Sequence, residues 1–307
     1  MTIGGQAAIT TATGAPAPPT EIDGVPLRHV RVATNGLQLH VAIGGDGPAV
    51  LLLHGFPEHW WSWRRQIPAL ARAGFAAWAL DLRGYNLSDR PAGRDAYRVR
   101  VLVDDVAGVV QATGQSRCDL VGHDWGGVIA WAFAATHPDL LRRLVVLNAP
   151  HPSPFAREVR RPPQMLRSAY VPLFAIPALS EAVLSAGDFA LVRAMFRGTA
   201  VRPDAYSAAD IDAFVNALRE PGALTAALNY YRANLRPFSL RRAAPRSIEA
   251  ETLVLWGERD PALDRRLLDG LEEVVPRVRV QRFPQASLGV LADEHERVND
   301  ALVQFLR

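Results

Sequence analysis

Short apolar runs, each bounded by glycine or charge, recur along the chain. Residues 49–53 read Ala-Val-Leu-Leu-Leu, and residues 75–82, 118–123, 144–147 and 252–256 repeat the pattern with an occasional polar position. Runs this short and this apolar suit strands covered on both faces. The intervals at 59–73, 99–113 and 126–136 carry helical periodicity. Strands alternating with helices predict an α/β class, with a mostly parallel sheet of about eight strands and helices on both faces. Ahead of this series, residues 28–34 and 37–43 alternate around Asn35-Gly36, which predicts a β-hairpin. From 151 to 240 proline becomes frequent and helical spacing dominates, so a helical cap is expected after the sixth strand. The strand pattern resumes at 252–256. A helix is expected near 262–274, a strand at 278–283, a loop at 284–289 and a helix to the C-terminus. These boundaries divide the chain into a core (26–150 and 241–307), a lid (151–240) and a leader (1–25). The leader, rich in Gly, Ala, Thr and Pro, buries too little surface to order itself and is expected to be flexible.

Composition narrows the function classes. All 34 cations are arginine, and the net charge is only +3. The arginines are scattered, with no run longer than a pair, so no nucleic-acid partner is expected. One cysteine, Cys118, rules out an internal disulfide and fits a reducing cytoplasm. No apolar run approaches a membrane span, and no membrane partner is expected. A homodimer is the default for the oligomeric state.

The chemistry concentrates in Gly122-His123-Asp124-Trp125-Gly126-Gly127. A strand-like run ends at Asp124 and a helix-like run begins at once. Small residues two before and two after the acid allow a strand to turn straight into a helix without a Cβ clash. That turn lifts Asp124 above the sheet edge, at a helix N-terminus that favours a charged carboxylate. The plainer reading is an Asp that caps the helix.

These motifs together resemble the α/β-hydrolase superfamily, and within it the epoxide hydrolases, over residues 28–307. His54-Gly55-Phe56-Pro57-Glu58 resembles the oxyanion motif, and 122–127 the elbow with an Asp nucleophile. Asp81-Leu82-Arg83-Gly84-Tyr85 and Asn148-Ala149-Pro150-His151-Pro152 are also typical. The resemblance implies an alkyl-enzyme ester on Asp124, an oxyanion held by the backbone N–H groups of Phe56 and Trp125, and no metal or cofactor. It also implies a proton-donating cap tyrosine, Tyr231 within Leu228-Asn229-Tyr230-Tyr231-Arg232, and Asp260 as the acid that orients a base histidine. Read alone, Tyr231 is equally a core aromatic and Asp260 a turn residue before Pro261. His54, Pro57, His151, Tyr170, Leu173, Phe174, Tyr230 and Leu288 are expected to line the substrate pocket, which is apolar and suits a neutral hydrophobic small molecule.

Two departures from the family pattern stand out. Where the family carries its base histidine, the chain reads Ala286-Ser287-Leu288-Gly289-Val290, so Leu288 takes the histidine's place. Leucine neither accepts a proton nor activates water. In the cap, Leu173 stands where the second tyrosine is expected, with Tyr170 one helical turn away. His54, His123, His151 and His295 are each poor substitutes for the base. Three readings follow: an epoxide-opening enzyme with an altered second step; a cyclase, isomerase or dehydratase of natural-product chemistry on the same scaffold; or a pseudoenzyme that binds a hydrophobic ligand.

Overall fold

The computed structural model describes residues 17–234 and 247–307. Its strands are β1 (Glu21–Ile22), β2 (Val25–Thr34), β3 (Leu37–Gly44), β4 (Ala49–Leu53), β5 (Ala76–Leu80), β6 (Cys118–His123), β7 (Leu141–Leu147), β8 (Glu251–Gly257) and β9 (Val278–Phe283). They form one nine-stranded mixed sheet in the order β1-β2-β3-β5-β4-β6-β7-β8-β9. The β4 to β9 strands are parallel, and β1, β2 and β3 join antiparallel. Strand alternation sorts the apolar runs to two faces. Leu51, Leu53, Leu120, Val146 and Val254 enter one core, and Val50, Leu52, Val121, Val145 and Leu253 the other. Each core is closed by helices: α2 (Val99–Ala112) and α3 (Trp125–Thr136) on the first face, α1 (Gln66–Arg72) and the C-terminal helices on the second.

The helical region after β7 comprises α4 (Pro152–Glu158), α5 (Pro162–Arg167), α6 (Val171–Phe174), α7 (Leu179–Thr199), α8 (Ala208–Arg219) and α9 (Ala223–Asn234). The α7 helix is kinked, with Gly187, Asp188 and Phe189 at positive φ. Helices α10 (Val290–Asp293) and α11 (His295–Leu306) end the chain. Polar ties fix the helical region over the carboxyl ends of the strands. Asp210, which closes a capping box with Ser207 at the start of α8, accepts from the Trp61 indole at 2.7 Å and pairs with Arg64 at 2.8 Å. The Tyr230 hydroxyl on α9 donates to the Arg83 carbonyl at 2.8 Å.

The structure corrects several expectations. Among the described residues there are nine strands rather than about eight, because Glu21–Ile22 pairs with Val25 and Pro26 across a turn in which Asp23 and Gly24 take positive φ. The helical region therefore follows the seventh strand, and the leader's last residues belong to the sheet. The leader's first sixteen positions, 1–16, and the 235–246 part of the lid–core boundary lie outside the described residues. The expected helix at 59–73 splits into a 3-10 turn, Trp60–Trp63, and α1, because the His59 imidazole accepts from the Trp61 N–H and starts a tight turn. The expected helix at 262–274 is two 3-10 turns, Arg265–Leu268 and Leu271–Glu273, separated by left-handed Gly270. No helix among the described residues is long and apolar enough to cross a membrane.

Candidate active site

Asp124 stands between β6 and α3 with φ 50° and ψ −119°, a conformation L residues rarely adopt. The turn is closed so tightly that a Cβ on Gly126 would run into the backbone of Leu53 and His54. Gly126→Ala is therefore expected to destabilise the fold by about 3 kcal/mol, checked by urea unfolding against the wild type. The Asp124 carboxylate accepts from the Phe56 N–H at 2.8 Å and from the Trp125 N–H. Phe56 sits in a turn closed by Glu58 N–H to the Gly55 carbonyl at 3.0 Å, and its peptide to Pro57 is cis. Burial pushes the Asp124 carboxyl above its usual range; the nearby His123 charge and the two amide donors oppose the shift without cancelling it.

Aromatic rings face this carboxylate. The Tyr231 ring lies edge-on to Trp125 at 5.1 Å, to Phe56 at 5.4 Å and to Phe174 at 5.1 Å. Tyr170 packs on Phe174 at 5.2 Å and on Tyr231 at 6.3 Å, and the side chains of Tyr170 and Tyr231 are in polar contact. Burial around both hydroxyls holds the phenols well above their ordinary range, with the Asp124 charge adding to the shift, so each keeps its proton, while the outer edge of the Tyr170 side chain reaches the surface. Leu173 is half-buried and packs into the same core without a polar group to offer. Tyr230, one position from Tyr231, turns away to Arg83 and is a structural tie.

Asp260 is 1% exposed and follows β8. Its Oδ2 accepts from the Asn148 amide at 2.8 Å, and its Oδ1 from the N–H groups of Ala262 at 2.7 Å and Leu263 at 2.9 Å. Asn148, at φ 38°, also accepts from Gly257 N–H at 2.8 Å, so one amide fastens the ends of β7 and β8 and the acid between them. Burial pushes the Asp260 carboxyl up to about 6, and its three donors oppose the shift. A folded-state value above the unfolded one means that the native chain retains a proton the unfolded chain has lost. That stabilisation is full below the ordinary Asp value and disappears as pH rises through about 6. Stability is expected to fall between pH ~4 and ~6 by on the order of 2 kcal/mol from this group. Denaturant melts of wild type and Asp260→Ala across that window check it, since the variant lacks this part of the slope.

No imidazole contacts Asp260 among the described residues. His54 has its Nδ1 at 2.9 Å from the Gly55 carbonyl and its Nε2 at 3.0 Å from the Leu82 N–H, and burial lowers it to about 4. His151 caps α4 through Ser153 N–H, and burial lowers it to about 4. His295 sits against Arg65 at 2.8 Å. His123 points to the loop after β9: its Nε2 is 2.9 Å from the Leu288 carbonyl, and its Nδ1 is 3.3 Å from Glu58 Oε2. That second contact is a charge pairing without hydrogen-bond alignment. Burial disfavours the imidazolium, but Glu58 outweighs it and raises His123. Glu58 also accepts from Tyr206 at 3.1 Å. The half-buried Leu288 thus contributes its carbonyl to this network, while Gly289 is closed in by the Tyr206 hydroxyl.

The family model described as the alpha/beta hydrolase fold matches residues 48–287. The chain belongs to the α/β-hydrolase superfamily. Among curated relatives, the AB hydrolase superfamily protein YfhM of Bacillus subtilis is 39% identical over 93% of this chain and 99% of the relative. Epoxide hydrolase 3 of Xenopus tropicalis is 38% identical over 91% of this chain and 77% of the relative. The crystal structure of the Bacillus megaterium epoxide hydrolase in complex with an inhibitor superposes with a TM-score of 0.84 at 34% identity, covering 90% of this chain and 99% of that one. The chain is an epoxide-hydrolase-like α/β hydrolase.

The structure brings together Asp124, Phe56, Trp125, Tyr231, Phe174 and Tyr170, and leaves His54, His151 and Tyr230 as structural supports. Residues to which the sequence reading gave no part in the site are Asn148, the partner of Asp260, and Glu58 and the half-buried Tyr206, which join His123. Asn148 lay within a quoted motif. Glu58 lay within another, and Tyr206, far from it in sequence, gave no signal.

Proposed function

We propose that this chain opens the ring of a hydrophobic epoxide with Asp124 as nucleophile, under a helical lid formed by the region after β7. The observation that carries the reading is the Asp124 carboxylate on two backbone N–H groups, with the phenols of Tyr231 and Tyr170 beside it. An Asp124 oxygen attacks one ring carbon, the carbon–oxygen bond breaks, and Tyr231 gives its proton to the alkoxide. The product is a hydroxyalkyl ester of Asp124. Phe56 and Trp125 N–H groups are then placed to hold the oxyanion when water attacks the ester carbonyl. Leu288 stands at the position of the family's base, so this second step runs slowly or by another route.

Incubation with neutral aryl and alkyl epoxides tests the reading: the protein should gain the mass of one epoxide. A broad panel giving neither mass gain nor diol would overturn it. Tyr231→Phe is expected to slow ester formation by about 10², and Tyr170→Phe added to it to slow formation further, both followed by epoxide depletion.

One observation favours a second, non-hydrolytic reading. Asp260 has its carboxylate oxygens taken up by Asn148, Ala262 and Leu263, and it orients no imidazole. An internal nucleophile of the substrate could then replace water, giving a cyclase or isomerase. Product analysis separates the two, since an isomer keeps the substrate's mass and a diol gains one water.

A further inference from the structure

The exposed large apolar side chains are not scattered over the surface. Met165 and Leu166 lie on α5, Tyr170 and Ile176 flank α6, and Leu179 opens α7, with Leu166 71% and Met165 53% exposed. Elsewhere among the described residues only Leu191 and Val280 are large, apolar and exposed. A face of this kind on a folded protein marks a surface that meets something apolar.

Its charge is one-sided. Between Glu158 and Glu181 the sequence contains no acidic residue, but it contains Arg160, Arg161 and Arg167. Arg157 and Arg161 share the single buried carboxylate of Glu158, at 2.8 and 3.0 Å, and Arg161 remains more than half exposed. Arg160 is exposed and has no ion-pair partner among the described residues. Arg167 pairs with Asp264 at 3.6 Å and adds no free charge. Arg157 and Arg161 on one carboxylate, with the exposed Arg160 beside them in the chain, leave a positive rim next to the apolar side chains.

We infer that residues 160–179 are a docking face for a lipid surface bearing anionic headgroups. Apolar side chains on short helices with an arginine rim match the chemistry of the interfacial layer, where the former enter the acyl boundary and the latter meet phosphate. A second copy of this chain would set the same positive rim against itself. This revises the expectation of no membrane partner, which concerned a spanning run and not a peripheral face.

The face is continuous with the site. Tyr170 is 37% exposed on it, and its ring packs on Phe174 and Tyr231, which reach Phe56 and Trp125 beside Asp124. An apolar epoxide dissolved in a bilayer would meet aromatic carbon from the lipid edge to the carboxylate. Only this substrate route rests on the epoxide-opening reading; the docking does not.

Co-sedimentation with phosphatidylcholine vesicles, with and without phosphatidylglycerol, tests the docking. The full chain should sediment with the anionic vesicles at low salt and be released at high salt. Met165→Asp with Leu166→Asp should weaken binding at least about tenfold, and Arg160→Glu should weaken it on anionic vesicles. All three positions are solvent-exposed, so melting temperatures should match the wild type. Three results would overturn the inference: wild type staying in the supernatant with both vesicle types, the double variant binding as well as wild type, or a dimer that the double variant splits with no vesicle binding. Loss of vesicle binding leaves ester formation on Asp124 untouched, and failure of ester formation leaves vesicle binding intact, so the two claims fail separately.

Discussion

Leu288→His is expected to shorten the lifetime of the alkyl ester on Asp124 by about 10²- to 10⁴-fold. The ester carbonyl already has its oxyanion donors in Phe56 and Trp125, and Asp260 is already held in place by Asn148. In the proposed reading, what remains to be supplied is a group that accepts a proton from water. An imidazole at 288 would also give the buried Asp260 a cationic partner, so the Asp260 carboxyl should drop from about 6 towards the ordinary carboxylate range. Rapid-quench mass spectrometry of ester decay, with a carboxyl-carbon NMR titration of Asp260, reads both effects. Equal lifetimes in wild type and variant would mean that the second step does not pass through this position.

Asp124→Asn should abolish ester formation, with a loss of at least about 10⁴ in epoxide consumption. An amide oxygen can still accept from the Phe56 and Trp125 N–H groups, so the turn at φ 50° keeps its hydrogen bonds and the fold should survive. The amide is a poor nucleophile towards an sp³ carbon, so the chemistry should not survive. A variant that melts like wild type and still consumes epoxide at the wild-type rate would remove the carboxylate from the mechanism.

Much of this arrangement was legible in the chain because it rests on local rules. The buried runs at 49–53 and 252–256 allow only strands covered on both faces, and Gly122 and Gly126 around Asp124 allow only a sharp strand-to-helix turn. In the proposed reading, the register of the final loop, set by its neighbours, puts Leu288 at the family's base position. What was not legible depends on residues distant in sequence. Glu58 and Tyr206 meet only after the helical region folds over the sheet. The replacement of one helix by two 3-10 turns at 265–273 follows from Gly270, a single left-handed residue in a segment whose spacing otherwise suits a helix. Strand β1 hid in a leader of weak hydrophobicity because two residues suffice to pair once a turn returns the chain. Tyr170, expected in the pocket but one turn from the position of the second tyrosine, reaches Tyr231 with its ring.

The most direct measurement is the fate of a stoichiometric epoxide on the wild-type chain. The protein is mixed with a neutral aryl epoxide, quenched over a time course, digested, and the peptide carrying residues 118–127 is weighed. The account predicts a mass gain equal to the epoxide, located on Asp124, that persists long after the free epoxide has been consumed and decays quickly only in Leu288→His. Rapid multiple-turnover diol formation by wild type with no ester on Asp124, or an adduct on another residue, would contradict it.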